Sequence, residues 1–223
     1  MPDDRPRRPR TILTVLVAGG ALLLATGIAG AVVTGAGAHS GPRDMDGRPV
    51  VLDPGSVAAP SSPTDDPAAT AAPRTTERFA VPSVGLDVPL AILSAKGGDI
   101  TPPGFTEAYA VANLGVPVER SDAGTVFVVT HSLRRGGRAP GNYLFDRATG
   151  ASAVAPGSRI RVGGVEYTTT GSRVVPKSRL ADDAAVWANT PGRLVVITCL
   201  QVPRGTPSVD NFVITAERTD GAS

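Results

Sequence analysis

The 223-residue sequence predicts a mainly β fold: a closed β-barrel of about eight strands with short helices, preceded by a transmembrane helix and a disordered tether. Three observations lead to this prediction. Short β-rich runs broken by Gly and Pro recur between residues 78 and 218, an uncharged apolar run covers residues 11–38, and a Pro-rich segment separates the two. Strands this short and numerous favour a barrel, because closure removes exposed strand edges.

The N-terminal 38 residues predict a membrane anchor behind a basic tail. In the tail, residues 1–10, four arginines oppose two aspartates, and this net charge of +2 equals that of the whole chain. The remainder is neutral and offers no basic face of the kind that binds nucleic acid. The uncharged run 11–38 exceeds the about 20 apolar residues that span a bilayer. The arginines before it predict a cytoplasmic N-terminus and an extracellular domain on a single-pass cell-membrane protein.

A cleaved signal peptide is the alternative for the same run, since Ala36, Gly37 and Ala38 form an A-x-A-like cleavage site. Both interpretations export the rest of the chain. Residues 39–77 mix prolines with Ala, Ser, Thr, Asp and Gly, a composition typical of a disordered tether. The folded domain is expected over residues 78–218, followed by a short C-terminal tail at 219–223.

Within this domain the elements follow from local composition. Gly163 and Gly164 separate two β-rich runs and predict a two-residue hairpin turn. Apolar residues at helical spacing predict one or two helical turns within 177–187, and a short helical turn is expected at 142–145. The predicted strands are 78–81, 85–93, 107–112, 125–130, 159–162, 165–170 (continued or restarted at 172–175), 193–199 and 211–217.

Cys199 is the only cysteine, so the chain cannot form an internal disulfide. It follows a run of buried-strand character, and the segment behind it holds two prolines and a glycine, which predicts a loop. A rigid strand end that gives way to a loop is a common position for a nucleophile. The alternative is a cysteine that fills the core as a small apolar side chain.

His131 also directly follows a predicted strand. If the two strands are adjacent or facing, the imidazole and the thiol lie at the same rim of the barrel and form a Cys–His nucleophile pair. A core cysteine with an unrelated surface histidine is the alternative. A metal site is disfavoured, because two ligands without a matching carboxylate cluster are too few.

These features together resemble the sortase family, membrane-bound cysteine transpeptidases of Gram-positive bacteria, and most closely the actinobacterial class E/F-like sortases. Residues 78–90 match the opening pattern of the family, and 124–132 match its histidine strand. The Thr-Cys motif at 196–199 and the closing strand at 210–216 complete the resemblance.

The resemblance implies specific roles. Cys199 would attack the Thr–Gly bond of an LPxTG-like sorting signal on a secreted protein, and His131 would protonate the leaving amine. An amine of a peptidoglycan precursor or a pilin would resolve the thioacyl intermediate. No metal or organic cofactor is implied.

The same resemblance implies three supporting residues. The family arginine has no counterpart at 206–211, so Arg204 is the nearest candidate. The Leu200 N–H would complete an oxyanion hole, and Thr198 would support it.

Other exported cysteine enzymes fit less well. The S-x-G-C-x-R pattern of L,D-transpeptidases is absent, and NlpC/P60 peptidases place cysteine before histidine. A non-catalytic or degenerate membrane-tethered β-barrel binding module stays open as the alternative to an enzyme.

Overall fold

The computed structural model describes residues 41–50, 57–58, 74–202 and 206–219. All of them belong to one compact unit, His39–Ser223. Among these residues no helix is both long enough and apolar enough to cross a bilayer. The predicted basic tail and anchor at 1–38, and most of the predicted tether, lie outside the described residues.

The described part of the chain contains ten strands and two short α-helices. The strands are β1 (Val57–Ala58), β2 (Arg74–Val81), β3 (Leu86–Leu93), β4 (Asp99–Ile100), β5 (Ala108–Gly115), β6 (Thr125–Val129), β7 (Arg159–Val162), β8 (Val165–Pro176), β9 (Arg193–Cys199) and β10 (Asp210–Arg218). The α-helices are α1 (Lys177–Leu180) and α2 (Ala184–Trp187), and 3-10 turns occur at Pro82–Val84, Val118–Arg120 and Pro140–Tyr143.

Eight of the strands form a closed barrel in the order β10-β8-β7-β2-β3-β5-β6-β9. The prediction of a closed barrel of about eight strands with short helices is therefore confirmed. Two neighbouring pairs, β3 with β5 and β6 with β9, are parallel, and the other pairs are antiparallel. The two remaining strands, β1 and β4, pair with each other.

The predicted hairpin turn joins β7 to β8, where Val162 pairs with Val165. Gly163 occupies a left-handed conformation with φ of 58°, which an L side chain rarely adopts. Two glycines between β-rich runs therefore form this turn, as predicted.

Side chains alternate between two apolar clusters, one inside the barrel and one on its outer face. The inner cluster takes residues from all eight barrel strands, among them Leu194 and Val196 of β9. The outer cluster contains Val195 and Ile197 of the same strand together with Leu180 of α1 and others. Because β9 is buried on both faces, it reads as a continuous apolar run.

Residues 41–50 differ from the predicted disordered tether. They form a tight turn around Asp44, whose side chain is 3% exposed. The Asp44 carboxylate accepts hydrogen bonds from the backbone N–H groups of Asp46 and Arg48 within the turn and of Arg138 in the loop after β6. A buried carboxylate with three N–H partners fixes a segment whose composition alone predicts no structure.

Candidate active site

The pairing of β6 with β9 brings His131 and Cys199 together. These two strands run parallel, with Thr125 opposite Arg193 and Val129 opposite Ile197. The Thr130 N–H continues the ladder by donating to the Ile197 carbonyl at 3.1 Å. The same offset places His131 beside Cys199, and neighbouring strands lie about 4.8 Å apart. Both residues line one cavity.

Alternation along the strands sets the direction of both side chains. Val126 and Val128 belong to the inner cluster, whereas Phe127 and Val129 belong to the outer one. Two residues beyond Val129, His131 continues the outer row. Cys199 continues the outer row of β9 in the same way, so thiol and imidazole share the outer face at the rim of the barrel.

The segment before β5 holds the His131 ring. Its Nε2 lies 2.8 Å from the carbonyl oxygen of Pro102. Because a carbonyl only accepts, Nε2 carries the proton, and Nδ1 of the neutral ring is left to accept. The ring of Phe105 stacks on the imidazole with a centroid distance of 4.5 Å and an interplanar angle of 25°.

The surroundings of His131 keep the imidazole neutral. Burial lowers its pKa below the ordinary value of 6.5, and the hydrogen bond to the Pro102 carbonyl opposes this shift only in part. At pH 7 the ring is thus a neutral base whose Nδ1 carries a lone pair that can accept a proton. A group in this state can take the proton of a thiol and return it to a leaving amine.

The Cys199 thiol is free and 6% exposed. It lies at the wall of a cavity of about 390 Å³. Four segments form the lining: the 41–50 turn, Phe105, the loop after β6 and the end of β9. The lining residues are Asp44, Arg48, Pro49, Val50, Phe105, His131, Ser132, Leu133, Arg134, Arg135, Gly136, Gly137, Cys199 and Gln201.

The loop after His131 is tied down at both ends. Asn142 holds it closed, since its side chain accepts from the N–H of Leu133 at 2.8 Å and donates to the Leu133 carbonyl at 2.9 Å. The Gly141 N–H donates to the His131 carbonyl at 2.8 Å. The Ser132 hydroxyl donates to the Cys199 carbonyl. These bonds fix the histidine backbone relative to β9.

Gly141 is required by close approach. A Cβ at this position would lie 2.1 Å from the Thr198 Oγ1 and 2.7 Å from the His131 carbonyl oxygen. Any side chain here would displace the strand end that carries His131 or the residue before Cys199.

Positive charge dominates the cavity wall. Arg48, Arg134 and Arg135 line it, against one acidic residue, Asp44. Burial alone would raise the pKa of Asp44, but hydrogen bonds from backbone N–H groups outweigh burial and hold the pKa below its usual value of 3.8. The Asp44 carboxylate is therefore ionised at neutral pH and accepts hydrogen bonds from the backbone.

Among the described residues, no group of three or more His, Cys, Asp or Glu side chains is placed to hold a metal ion.

The structure places the remaining sequence-predicted residues in different surroundings. Thr198 alternates with Cys199, so its fully buried side chain points to the barrel interior and contacts Gly141 rather than the cavity. The Leu200 N–H donates to the Asp210 carbonyl at 3.0 Å and is occupied by the strand ladder. Arg204 lies outside the described residues, and its role stays a prediction.

Sequence reasoning missed Phe105, Gln201 and the Asp44 turn. Gln201 lies two residues beyond Cys199, and its Oε1 is buried without a partner among the residues the structure describes. Its two-residue spacing from the cysteine is a signal that a period-2 reading could have used. Phe105 and Asp44 carry no such signal, because only the tertiary fold brings them to the cavity.

No family model matches the chain, and no curated protein matches it. The chain is similar in fold to solved sortases. Sortase A of Listeria monocytogenes shares 22% identity with a TM-score of 0.46, over 66% of this chain and 88% of that one. The pilus-related sortase C of Group B Streptococcus shares 13% with a TM-score of 0.48, over 67% and 69%. Sortase C-1 of Actinomyces oris shares 17% with a TM-score of 0.43, over 65% and 73%.

These relatives are sortases of the A and C types. The resemblance to class E/F-like sortases stays a prediction. Identities this low show similarity of fold only, and the chemistry of this chain depends on the geometry of its own His131 and Cys199.

Proposed function

We propose that this chain is a sortase-type cysteine transpeptidase. The observation that carries the proposal is the register of β6 and β9, which sets a neutral imidazole beside a free thiol on one cavity. A thiol with an adjacent base is the arrangement that nucleophilic acyl transfer requires.

The reaction follows from the state of these two groups. His131 accepts the Cys199 proton, and the thiolate attacks the threonine carbonyl of a Thr–Gly bond in an LPxTG-like sorting signal. The C–N bond breaks, His131 gives its proton to the leaving glycine nitrogen, and a thioester remains on Cys199. An amine of a peptidoglycan precursor or a pilin then attacks the thioester, and His131 takes the amine proton. The C–S bond breaks, and the Cys199 thiolate that leaves takes this proton back from His131 to restore the thiol.

The oxyanion of each tetrahedral intermediate needs donors other than the Leu200 N–H, which the ladder occupies. The side-chain amide of Gln201 is one such donor, since it lies on the cavity wall. Arg204 is a second, as the family resemblance implies, and it follows Cys199 by five residues in the sequence.

The test uses the full chain in a mild detergent with a panel of LPxTG-like and LAxTG-like peptides and a free amine. Mass spectrometry follows cleavage between Thr and Gly and formation of the amine-linked product. We expect turnover in wild type, none in Cys199→Ala, and a large loss in His131→Ala. An Arg204→Ala variant measures the contribution of that side chain. Failure of a folded wild type to turn over any peptide and amine would contradict the proposal.

A non-catalytic binding module is the second candidate. The low exposure of Cys199 beneath the 41–50 turn favours it. Retention of a peptide at the cavity without any acyl product would support this candidate instead.

For its location, we propose a single-pass cell-membrane protein with a cytoplasmic N-terminus and an extracellular barrel. The uncharged run 11–38 behind four arginines supports this orientation. Protease added to intact cells should remove the barrel, and resistance of the barrel in intact cells with digestion after lysis would contradict it.

A further inference from the structure

We propose that Asn211 is a positioning residue for the Cys199 thiolate, acting from the strand on the opposite side from His131. The inference rests on the proposed function, because a thiolate needs positioning only if Cys199 is the nucleophile.

The register makes Asn211 and Cys199 direct cross-strand neighbours. They are Cα partners in the antiparallel pairing of β10 with β9. The hydrogen bond from the Leu200 N–H to the Asp210 carbonyl identifies Leu200 and Asp210 as a hydrogen-bonded pair. Asn211 and Cys199 are therefore a non-hydrogen-bonded pair, the closely spaced kind, with Cα atoms about 4.5 Å apart.

Both side chains leave the strands on the same face. Phe212 and Ile214 belong to the inner cluster and Val213 to the outer one, so Asn211 lies in the outer row of β10. Directly opposite residues of an antiparallel pair share a face, which sets the carboxamide beside the thiol.

The carboxamide is buried and uncommitted. Asn211 is 0% exposed, and neither its Nδ2 nor its Oδ1 has a hydrogen-bond partner among the residues that the structure describes. Burying an amide without partners is costly, and native proteins rarely keep one without a reason.

The neighbour on the other side does not supply a partner. On β8, Asn211 pairs with Val175, an apolar residue that is 3% exposed. Cys199 is thus the cross-strand neighbour with a polar atom. An Nδ2–H donated to the sulfur favours the charged form of a thiol, because hydrogen bonds to an anion stabilise that anion. The amide gains its partner when the thiolate forms.

The test measures the rate of iodoacetamide alkylation against pH on the full chain in a mild detergent. Cys199 is the only cysteine, so the rate reports on this thiol alone. The variants are Asn211→Leu and Asn211→Asp, both close in size to asparagine. The other charged or titratable groups on the cavity wall are unchanged in both: Asp44, Arg48, His131, Arg134 and Arg135.

Thr169→Val is the matched control. The Thr169 Oγ1 is also buried without a partner among the described residues. Thr169 pairs with Ala216 on β10, which in turn pairs with Leu194, five residues along β9 from Cys199. The substitution Thr169→Val therefore removes a buried polar atom that lacks a partner among the described residues, as Asn211→Leu does, but far from the thiol.

We expect the midpoint of the rate–pH profile to rise by about one pH unit in Asn211→Leu, which is a tenfold slower reaction below both midpoints. In Asn211→Asp the midpoint should rise at least as far, because a carboxylate repels the thiolate. Asn211→Leu should also melt no lower than wild type, since it removes a buried amide that lacks partners.

Unchanged midpoints in the folded Asn211 variants, or an equal rise in Thr169→Val, would overturn the proposal. If Asn211→Leu fails to fold, Asn211→Ala, which also removes the amide without adding a charge, decides in its place. The readout needs no peptide, so its failure is distinguishable from a failure of the proposed transpeptidation. An alkylation shift without peptide turnover would preserve the role of Asn211 and reject the proposed substrate.

Discussion

The two strands that flank Cys199 present it with side chains in opposite states. On the β6 side, three contacts hold His131 in place: its Nε2 donates to the Pro102 carbonyl, its ring stacks on Phe105, and its carbonyl accepts from the Gly141 N–H. On the β10 side, Asn211 is more deeply buried, and neither polar atom of its side chain has a hydrogen-bond partner among the described residues.

This difference separates two ways in which a site can be organised. A base must already have the right tautomer and direction before the thiol gives up its proton, so its other contacts are made in advance. A group that serves only the anion has no partner until the anion exists. We call the β6 side of Cys199 the histidine flank and the β10 side the asparagine flank. Substitutions on the histidine flank should change activity or stability strongly, and those on the asparagine flank should have smaller effects that depend on pH.

The largest effect is expected from His131→Ala. Loss of a general acid and base should lower the acylation rate by roughly 10²- to 10⁴-fold. Stopped-time mass spectrometry of the Cys199 adduct measures it, with added imidazole as a rescue of the missing ring. Asn211→Leu is the matched variant on the other flank, and its loss should be about tenfold at most. Equal losses in both variants would remove the distinction between the two flanks.

The second largest effect is expected from Gly141→Ala, which should displace the backbone of His131 on the histidine flank. The new Cβ would meet the Thr198 Oγ1 at 2.1 Å and the His131 carbonyl at 2.7 Å. Overpacking of this kind should lower the free energy of unfolding by about 1–3 kcal/mol. Urea denaturation measures the change.

Gly164→Ala is the control for this prediction, because a Cβ at Gly164 meets no atom within 4 Å. Its effect should stay within about 0.5 kcal/mol. A Gly141→Ala variant as stable as Gly164→Ala would show that the loop yields without moving the strand end.

A smaller effect is expected from Asp44→Asn, which loosens the 41–50 turn over the cavity. An amide cannot accept on both atoms, so the bond to the Arg138 N–H is lost. Cys199 should then be alkylated up to about tenfold faster, since a hydrogen bond to a charged group contributes about 1.5 kcal/mol or more.

Asp46→Asn is the matched control for the turn. The Asp46 carboxylate makes only partly exposed ion pairs, at 3.1 Å to Arg48 and 3.7 Å to Arg138, and such pairs contribute little. The dependence of stability on pH follows from the lowered pKa of Asp44. The ionised carboxylate stabilises the fold fully above pH 3.8, and this stabilisation is lost as the pH falls through the lower pKa of Asp44 in the folded protein. Equal alkylation rates in both variants would contradict the role of Asp44.

The smallest effect concerns the titration of His131. Burial lowers the pKa of His131 in the folded protein. The stabilisation by the neutral ring is therefore fully present above pH 6.5 and is lost as the pH falls through the pKa of His131 in the folded protein. Phe105→Leu removes the stacked ring and admits water, which should raise the pKa of His131 towards 6.5. Proton NMR of the imidazole measures the shift, and a pKa that stays unchanged would contradict burial as its cause.

Much of the barrel could be predicted from local pattern. Runs of β-branched residues, the Gly163 turn and the strand-end positions of His131 and Cys199 are all properties of neighbouring residues in the chain. That two such strand ends could meet at one rim also followed from sequence. Their parallel pairing and offset did not, because register depends on strands 68 residues apart.

The parts that sequence did not reveal are set by tertiary contacts. The sequence predicts for Asn211 only a polar residue at the start of a strand. Its candidate role depends on the pairing with Cys199, which the fold determines. Asp44 lies in a Pro-rich segment that predicts disorder, yet its carboxylate meets an N–H of Arg138, which is 94 residues away in the chain. The Leu200 N–H was predicted to face an oxyanion, but the continuation of the β9–β10 ladder uses it.

The most direct test of the pairing of His131 with Cys199 is to trap the acyl-enzyme. The full chain is mixed with an LPxTG-like peptide without any amine, quenched in acid, and the Cys199-containing fragment is weighed by mass spectrometry. We predict a thioester of the peptide up to its threonine on Cys199 in wild type, a much smaller amount in His131→Ala, and recovery with imidazole. An adduct that forms equally fast in His131→Ala, or that never forms on a folded wild type with any peptide of the panel, would contradict a nucleophile and base held together by the β6–β9 register.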